Sequence, residues 1–376
     1  MTSRPAVERA VARVDVGAIE RNCARLRSVL AGRAQLCAVV KANGYGHGDV
    51  ASARAALAGG ATWLAVATGD EASALREAGI DGRLLVMGAL TGADAATATA
   101  AAAEVVAWDE RFVDELAAAA VRSEGPLRVH VKLDTGMGRL GTKDRELALA
   151  LCERVRAHES LELAGVMTHF ATADEVGDQH FGAQLRAFRE FERSAQRLEP
   201  NLVAHAANSA AVLRDPESHL DMARCGIAIY GLDPFGEDPA RHGLEPALEL
   251  RSYVADVKRF EPGDSAGYGR SWSAREPTNV GVLPIGYGDG VRRALSNNAD
   301  VLVRGRRQPL VGTVSMDNVT IDLGPDTDVR RGDPAVLIGT QDGERIACEE
   351  VARRLDTINY EVTTGLLARV RREPFP

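Results

Sequence analysis

The sequence predicts a TIM-like (β/α)8 barrel over residues 1–240, followed by a mostly β C-terminal domain over residues 241–376. Three observations support this α/β fold class. The length of 376 residues suits two domains. Short apolar runs alternate with helical segments before residue 240, and strand patterns dominate after it. A doubly wound parallel sheet is the alternative, because it has the same alternation of strands and helices.

Eight strand-like runs occupy the first part of the chain. Segments such as GDEASALREAG and DQHFGAQLRAFREFERSAQRL lie between them, with apolar residues at the three- and four-residue spacing of helices. Eight strand–helix units within roughly 230 residues fit a closed barrel of parallel strands. The predicted strands are residues 36–41, 63–68, 84–87, 104–108, 129–133, 163–169, 203–208 and 225–230.

The pattern changes after residue 240. Segments such as NVGVLPIGYGDG, DVLVRGRRQPLVGTVSMDNVTIDL and DPAVLIGT are rich in β-branched residues and are separated by Gly, Pro and Asp. This composition is typical of strands joined by turns. A single helical stretch, CEEVARRLD, follows them.

Composition excludes several classes of protein. The net charge of −8 argues against nucleic acid or an anionic membrane as the main partner. The five cysteines are odd in number and have no CxxC spacing, so neither a disulfide framework nor a metal site is expected. No apolar stretch reaches the length of a signal peptide core or a membrane span. These features predict a cytoplasmic protein.

Polar residues follow the predicted barrel strands at the points where the strands end. They include Lys41, Lys132, His169, Ser209 and Arg224. The carboxyl ends of the strands carry the active site in barrels of this kind. We therefore expect these side chains to lie together in a functional site.

Lys41 is the most informative of these residues. Only four of the 45 basic residues are lysines, and Lys41 ends an apolar strand in the segment VVKANGYGHG. Burial disfavours the charged ammonium and yields a nucleophilic amine of the kind that forms a Schiff base. A structural lysine that reaches solvent or pairs with an acid remains the alternative on the residue pattern alone.

The segment VVKANGYGHG resembles the cofactor-lysine motif of alanine racemases, which are pyridoxal-phosphate enzymes built from a barrel and a β domain. One small departure is Gly44, where many relatives have alanine. The resemblance extends over nearly the whole chain. Eight further segments match in order: KLDTGMGRLG (132–141), MTHFATAD (167–174), AANSA (206–210), RCGIAIYG (224–231), SAGYGR (265–270), IGYGDG (285–290), GTVSMD (312–317) and TINYE (357–361).

The resemblance implies an isomerase that interconverts L-alanine and D-alanine with pyridoxal 5'-phosphate and supplies D-alanine for peptidoglycan. It also implies a homodimer whose active sites are shared between subunits. Lys41 would hold the cofactor and act as the base on one face of the substrate, and Tyr268 of the other subunit would act on the opposite face. Two bases suit racemisation, because a proton leaves one face and arrives at the other. A tyrosine hydroxyl ordinarily has a pKa of about 10, so His169 and Arg224 would assist it.

The resemblance assigns cofactor and substrate contacts as well. Arg224 would face the pyridine nitrogen and leave it unprotonated, since arginine has no acceptor and keeps its proton. Arg139 and the backbone N–H of Met316 would bind the substrate carboxylate, with Asp317 nearby. The residues implied for the phosphate group are Tyr45, Ser209 and Tyr360, with the backbone amides of Gly226 and Ile227.

The remaining implied residues shape the pocket. Tyr287 and Tyr360 would narrow it to the size of a methyl group. Lys132 would be carbamylated, so that its anionic form holds Arg139 in place; an ion pair with Asp134 is the alternative. No metal is expected.

Three other functions remain as alternatives. A serine or broad-specificity racemase is possible, because a hydroxyl group needs little extra room. A decarboxylase of the same architecture would use a cysteine, for which Cys348 is the candidate. A non-catalytic pyridoxal-phosphate carrier would lack both the second domain and Tyr268.

Overall fold

The computed structural model describes residues 9–120 and 125–376, which form two compact units. One unit is residues 17–245, and the other contains residues 246–376 together with the first strand, β1 (Val11–Asp15). β1 pairs antiparallel with the strand Leu248–Tyr253 and parallel with the strand Arg371–Phe375. The prediction that the whole of residues 1–240 belongs to the barrel is therefore wrong for β1. Residues 1–8 of that predicted range lie outside the described part of the chain.

Eight parallel strands form the sheet of the first unit, in the order β9-β2-β3-β4-β5-β6-β7-β8. The N–H groups of Asp221 and Arg224 donate to the carbonyls of Ala204 and Ala207, at 3.1 and 2.9 Å, and join the last strand to the one before it. This closes the predicted barrel and excludes the doubly wound alternative. The strands are β2 (Gln35–Val39), β3 (Trp63–Val66), β4 (Arg83–Val86), β5 (Glu104–Ala107), β6 (Leu127–Lys132), β7 (Leu161–Met167), β8 (Val203–His205) and β9 (Met222–Cys225).

Helices follow the barrel strands as the periodicity predicts. Helix α8 buries Phe181, Leu185 and Phe188 at spacings of four and three residues, which places them on one face. Thr68, Asp144 and other short polar residues cap helix starts by accepting backbone N–H groups. The helices are α1 (Val16–Val29), α2 (Lys41–Tyr45), α3 (Asp49–Ala58), α4 (Gly69–Glu77), α5 (Gly92–Ala100), α6 (Glu110–Ala120), α7 (Arg145–Ala157), α8 (Gln179–Leu198) and α9 (Ser209–Arg214).

The last predicted barrel strand, residues 225–230, is misplaced in the sequence prediction. The strand is Met222–Cys225, and the apolar run Ile227–Tyr230 forms a buried 3₁₀ turn. A short apolar run looks the same whether it forms a buried strand or a buried turn, so periodicity cannot separate the two.

The second unit is mostly β, as predicted. Its main sheet has the order β11-β14-β17-β16-β15-β18-β10-β1-β20, with β19 paired to β18, and β12 pairs separately with β13. The predicted helix CEEVARRLD is present as α10 (Cys348–Arg354), and α11 (Asn359–Thr364) follows it. The strands are β10 (Leu248–Tyr253), β11 (Asp256–Phe260), β12 (Ser265–Ala266), β13 (Trp272–Ser273), β14 (Thr278–Leu283), β15 (Asp300–Val303), β16 (Arg306–Val311), β17 (Val319–Gly324), β18 (Pro334–Gln341), β19 (Glu344–Ile346) and β20 (Arg371–Phe375).

Among the described residues, no helix combines the length and the apolar character needed to cross a membrane.

Candidate active site

Nine of the predicted site residues lie in the barrel unit. Most of them follow the carboxyl ends of barrel strands, where the backbone leaves the sheet and the side chains converge. They are Lys41, Tyr45, Lys132, Arg139, His169, Ser209, Arg224, Gly226 and Ile227.

Lys41 begins a strained turn directly after β2. The next four residues, Ala42 to Tyr45, all have positive φ angles, between 51° and 59°. Residues other than glycine rarely adopt this left-handed conformation, and such strain persists only where the surroundings fix it. Gly44 (φ 59°) is therefore a favourable residue at its position, since glycine adopts this conformation without cost.

Glu71 in helix α4 fixes this turn. Its two carboxylate oxygens accept the backbone N–H groups of Ala42 and Ala67, each at 2.7 Å. Sequence reasoning missed Glu71, because GDEASALREAG looks like any amphipathic helix. The contact links the residue after Lys41 to the end of the neighbouring strand β3.

Burial and positive neighbours shift the pKa values of both site lysines. Burial, followed by the charge of Arg139, lowers the pKa of Lys41. Burial, Arg224 and Arg139 together lower the pKa of Lys132 to about 8. Within the described residues, neither ammonium forms an ion pair, so nothing nearby fully compensates its charge. Both amines therefore lose their protons more readily than an exposed lysine does, which favours the nucleophilic form.

Asp134 does not form the alternative ion pair with Lys132. Its carboxylate instead accepts the backbone N–H groups of Gly136, Met137 and Gly138, at 2.8–3.1 Å. Asp134 thereby organises the loop that ends in Arg139. Arg139 is an exposed residue and forms no ion pair with any described residue.

Arg224 is buried, and its hydrogen-bond acceptors among the described residues are all neutral groups. Its guanidinium donates to His205 Nδ1 at 2.7 Å, to His169 Nδ1 at 3.2 Å, and to the carbonyls of Thr168 and Ala206 at 2.8 and 3.0 Å. Burial lowers the pKa of Arg224 to about 10, which still leaves it a cation at neutral pH. Burial and the Arg224 charge hold the pKa of His169 well below its usual range, so His169 is neutral.

A cradle of hydroxyl and backbone N–H groups lies beside these cations. Ser209 Oγ accepts the N–H groups of Gly226 and Ala228, at 3.1 and 3.3 Å, and Ile227 begins the buried turn between them. Tyr45 approaches so closely that a Cβ at Gly226 would lie 2.3 Å from Tyr45 Oη. Burial raises the pKa of Tyr45 to about 12, so its hydroxyl stays protonated and can donate to an anion.

The other five predicted residues lie in the second unit: Tyr268, Tyr287, Met316, Asp317 and Tyr360. Three of them are on neighbouring loops. Thr313 Oγ1 donates to the carbonyl of Tyr268 at 2.8 Å, and the N–H of Tyr287 donates to the carbonyl of Ser315, one residue before Met316, at 3.0 Å. The Tyr268 side chain is 74% exposed, that of Met316 51% and that of Tyr287 40%. Tyr360 is half-buried on α11.

Arg369 holds the Met316 loop and was missed by sequence reasoning. It donates to the carbonyl of Met316 at 3.1 Å and to Asp317 at 2.8 Å. It also pairs with the buried carboxylate of Asp289, which Arg9 contacts as well. Asp289 lies within the IGYGDG segment, so the sequence motif includes this residue. The motif does not indicate that Arg369 is its partner.

Comparison with known proteins identifies the family. Two sequence-family models match the chain. The family model of the alanine racemase N-terminal domain matches residues 14–234, and the family model of the C-terminal domain matches residues 247–374. The chain belongs to the alanine racemase family. An alanine racemase from Geobacillus stearothermophilus is 43% identical over 364 residues, which are 96% of this chain and 92% of that protein. One from Thermobifida fusca is 42% identical over 96% of this chain and 97% of that protein.

Solved alanine racemases have the same fold. The crystal structure of the enzyme from D-cycloserine-producing Streptomyces lavendulae matches with a TM-score of 0.93 at 37% identity, over 98% of this chain and 97% of that one. The enzyme from E. faecalis matches with a TM-score of 0.91 at 36% identity, over 98% of each chain. The family resemblance and the two-domain fold predicted from the sequence are both confirmed.

Replacing Glu71 by glutamine should destabilise the turn after Lys41. The amide has one acceptor oxygen for two backbone donors, so an NH₂ group would face either Ala42 or Ala67. We expect a loss of about 1–3 kcal/mol in the free energy of unfolding, measured by urea denaturation, and faster hydrogen exchange at these two amides. Glu77→Gln is the matched control, because Glu77 lies on the same helix and, among the described residues, accepts a hydrogen bond from the Ser73 hydroxyl and not from the turn. Equal effects of both substitutions would contradict this role of Glu71.

Proposed function

We propose that this member of the alanine racemase family is a cytoplasmic homodimer that interconverts L-alanine and D-alanine with pyridoxal 5'-phosphate, supplying D-alanine for peptidoglycan. The observation that carries the proposal is the setting of Lys41: a half-buried amine of lowered pKa, free of ion pairs within the described residues, at the carboxyl end of a barrel strand. The five cysteines are all free, which suits a reducing compartment.

The residues present fit pyridoxal phosphate. The close approach of Tyr45 to Gly226, with Ser209 beside them, leaves a cradle of donors suited to a phosphate group. Lys41 supplies the amine that the cofactor aldehyde requires. Among the described residues, the buried cations near this cradle have no carboxylate partner of their own, so an anionic group would offset their charge. When bound, the cofactor supplies an electron sink that makes the α-proton of the amino acid acidic.

Each side chain then has a defined task. Lys41 Nζ, whose pKa is lowered by burial and by Arg139, takes or returns the proton on one face of the substrate. Tyr268 Oη serves the opposite face. Arg139 presents a forked pair of donors to the substrate carboxylate. Arg224 would face the ring nitrogen of the bound cofactor and would keep its own proton, which would limit side reactions such as transamination.

Lys132 has the chemistry for the carbamylation that the resemblance implies. With a pKa of about 8, its neutral amine can attack CO₂ to form an N–C bond and release one proton. The resulting anion would offset the positive charges of Arg139 and Arg224, both of which act to lower the pKa of Lys132.

The exposed residues of the second unit support a shared active site. Tyr268, Tyr287 and Met316 are large side chains that remain substantially exposed in the single chain. We propose that they cover the active site of the partner subunit, where Met316 adds its backbone N–H and the tyrosines limit the pocket to a small side chain.

The alternatives receive less support. Cys348, the candidate for a decarboxylase, is buried, and burial raises the pKa of its thiol well above the ordinary value. The second unit is present, whereas a carrier protein would lack it. No feature of the described residues favours serine over alanine.

Borohydride treatment of the holoenzyme tests the cofactor assignment. Reduction should fix the cofactor on the peptide that contains Lys41, with loss of the visible absorption band. Lys143→Arg, which changes an uninvolved lysine, should label the same peptide. A label on Lys132 or Lys258 would contradict the assignment.

Tyr268→Phe should distinguish the role of Tyr268 from that of Lys41. The substitution keeps the ring and removes the ionisable oxygen, so the variant should still exchange the α-proton of D-alanine with solvent deuterium. Exchange from L-alanine should fall by about 10²–10⁴-fold, because general-base assistance is lost on that face alone. The rates are measured by NMR for each enantiomer. Equal exchange of both enantiomers would mean that one base serves both faces.

Mixed dimers test the shared site. Lys41→Ala and Tyr268→Phe homodimers should both be inactive in racemisation. A heterodimer contains one site in which Lys41 and Tyr268 are both intact, so mixing should restore up to about half of the wild-type activity per heterodimer. Subunit exchange is monitored by mass spectrometry of differently tagged chains. Exchange without recovery would exclude a site built from two subunits.

A further inference from the structure

A row of four hydrogen-bonded side chains crosses the interior of the barrel. Arg224 Nη1 lies 2.7 Å from His205 Nδ1, and His205 Nε2 lies 2.8 Å from His130 Nδ1. His130 Nε2 lies 2.9 Å from a carboxylate oxygen of Glu104. All four residues are buried, and they come from four different strands. Glu104 is the first residue of β5, so the row extends away from the carboxyl ends of the strands.

Only one arrangement of protons satisfies every bond in this row. An arginine can only donate, so His205 Nδ1 must accept and its proton must be on Nε2. That N–H then donates to His130 Nδ1, which places the proton of His130 on Nε2. This second N–H donates to Glu104, whose ionised carboxylate can only accept.

The surroundings support these charge states. The second carboxylate oxygen of Glu104 accepts two N–H groups of Arg83, at 2.6 and 3.0 Å, and lies 3.3 Å from Arg128 Nε. Burial acts to raise the pKa of Glu104, but the hydrogen bonds from His130 and Arg83 outweigh it and hold this pKa below the usual value. Burial, followed by the Arg224 charge, holds the pKa of His205 well below its ordinary range.

Packing holds the middle of the row in place. The rings of His130 and His205 pack edge to face, with centroids 4.9 Å apart. Gly165 on β7 leaves room for His130, since a Cβ there would lie 2.3 Å from His130 Nδ1. The rings therefore have little freedom to turn and exchange their bonds.

We propose that Glu104 is a positioning residue for Arg224. Its carboxylate fixes the tautomers of His130 and His205, so that Arg224 always meets an acceptor in the barrel interior and its guanidinium stays in place at the site. The functional consequence rests on the proposed role of Arg224 at the cofactor ring, whereas the tautomers can be measured independently of that role.

Glu104→Gln should reverse the direction of the hydrogen bonds along the row. The amide oxygen should face the donors of Arg83, which leaves the NH₂ group facing His130 Nε2. His130 must then accept at Nε2 and donate from Nδ1 to His205 Nε2. His205 would present an N–H to the N–H of Arg224, and this conflict should displace the guanidinium.

Nitrogen NMR of the ¹⁵N-histidine-labelled holoenzyme tests the proposal, with His130→Phe and His205→Phe used only to assign signals. In the wild type, both histidines should carry their proton on Nε2. In Glu104→Gln, both should carry it on Nδ1. We expect kcat/KM to fall about 10–100-fold for both enantiomers, the range found when the hydrogen-bond partner of a metal-bound histidine is lost. Glu104→Asp keeps the carboxylate and should keep the Nε2 protons.

Glu162→Gln is the matched control, because Glu162 pairs with Arg128 at the same edge of the barrel but is outside the row. It should keep the wild-type tautomers and an activity within about twofold of the wild type. A proton on Nδ1 of either histidine in the wild type would overturn the proposal, and so would unchanged tautomers or unchanged kcat/KM in Glu104→Gln. Wild-type protein with the expected tautomers but no racemisation would contradict the proposed function and leave the tautomer assignment intact.

Discussion

The burial of positive charge at the carboxyl end of the barrel is the constraint on which the site depends. Arg224, Lys132 and Lys41 are gathered there, and within the described residues none of them forms an ion pair. Desolvation, followed by repulsion from neighbouring cations such as Arg139, lowers all three pKa values. The lowered pKa values make the lysine amines easier to deprotonate and therefore more reactive as nucleophiles. Arginine keeps its proton because its pKa starts much higher, so it remains a permanent donor.

Neutral hydrogen-bond acceptors stabilise the buried charge of Arg224. Arg224 is held by two backbone carbonyls and by the ring nitrogens of His169 and His205. A carboxylate in direct contact would neutralise the cation and also remove its effect on the neighbouring lysines. The barrel instead places the carboxylate of Glu104 two histidines away. The positive potential of the site is thereby preserved for an anionic cofactor and substrate.

The site also requires a strained backbone conformation, and carboxylates stabilise it by accepting backbone N–H groups. The left-handed turn after Lys41 is held by Glu71, and the loop that ends in Arg139 is organised by Asp134. In the second unit, Arg369 holds the Met316 loop through the carbonyl of Met316, and the carboxylate of Asp289 pairs with Arg369. These acids bind backbone N–H groups or arginines outside the cluster of lysines. The charges of Glu71 and Asp134 act to raise the pKa values of Lys41 and Lys132, but burial and the neighbouring cations outweigh this effect.

The sequence by itself determined the barrel, the β domain, the family and the position of Lys41, because apolar periodicity and contiguous motifs are local signals. Only the tertiary structure decided that β1 joins the second sheet, that residues 227–230 form a turn, and that Asp134 does not pair with Lys132. It alone revealed Glu71, Arg369 and Glu104. Each of these depends on a partner distant in sequence, and an acid in a helix or strand looks the same whichever backbone or side chain it will meet. Pairing across a fold is set by how strands and helices pack, and that information is not carried by any one segment.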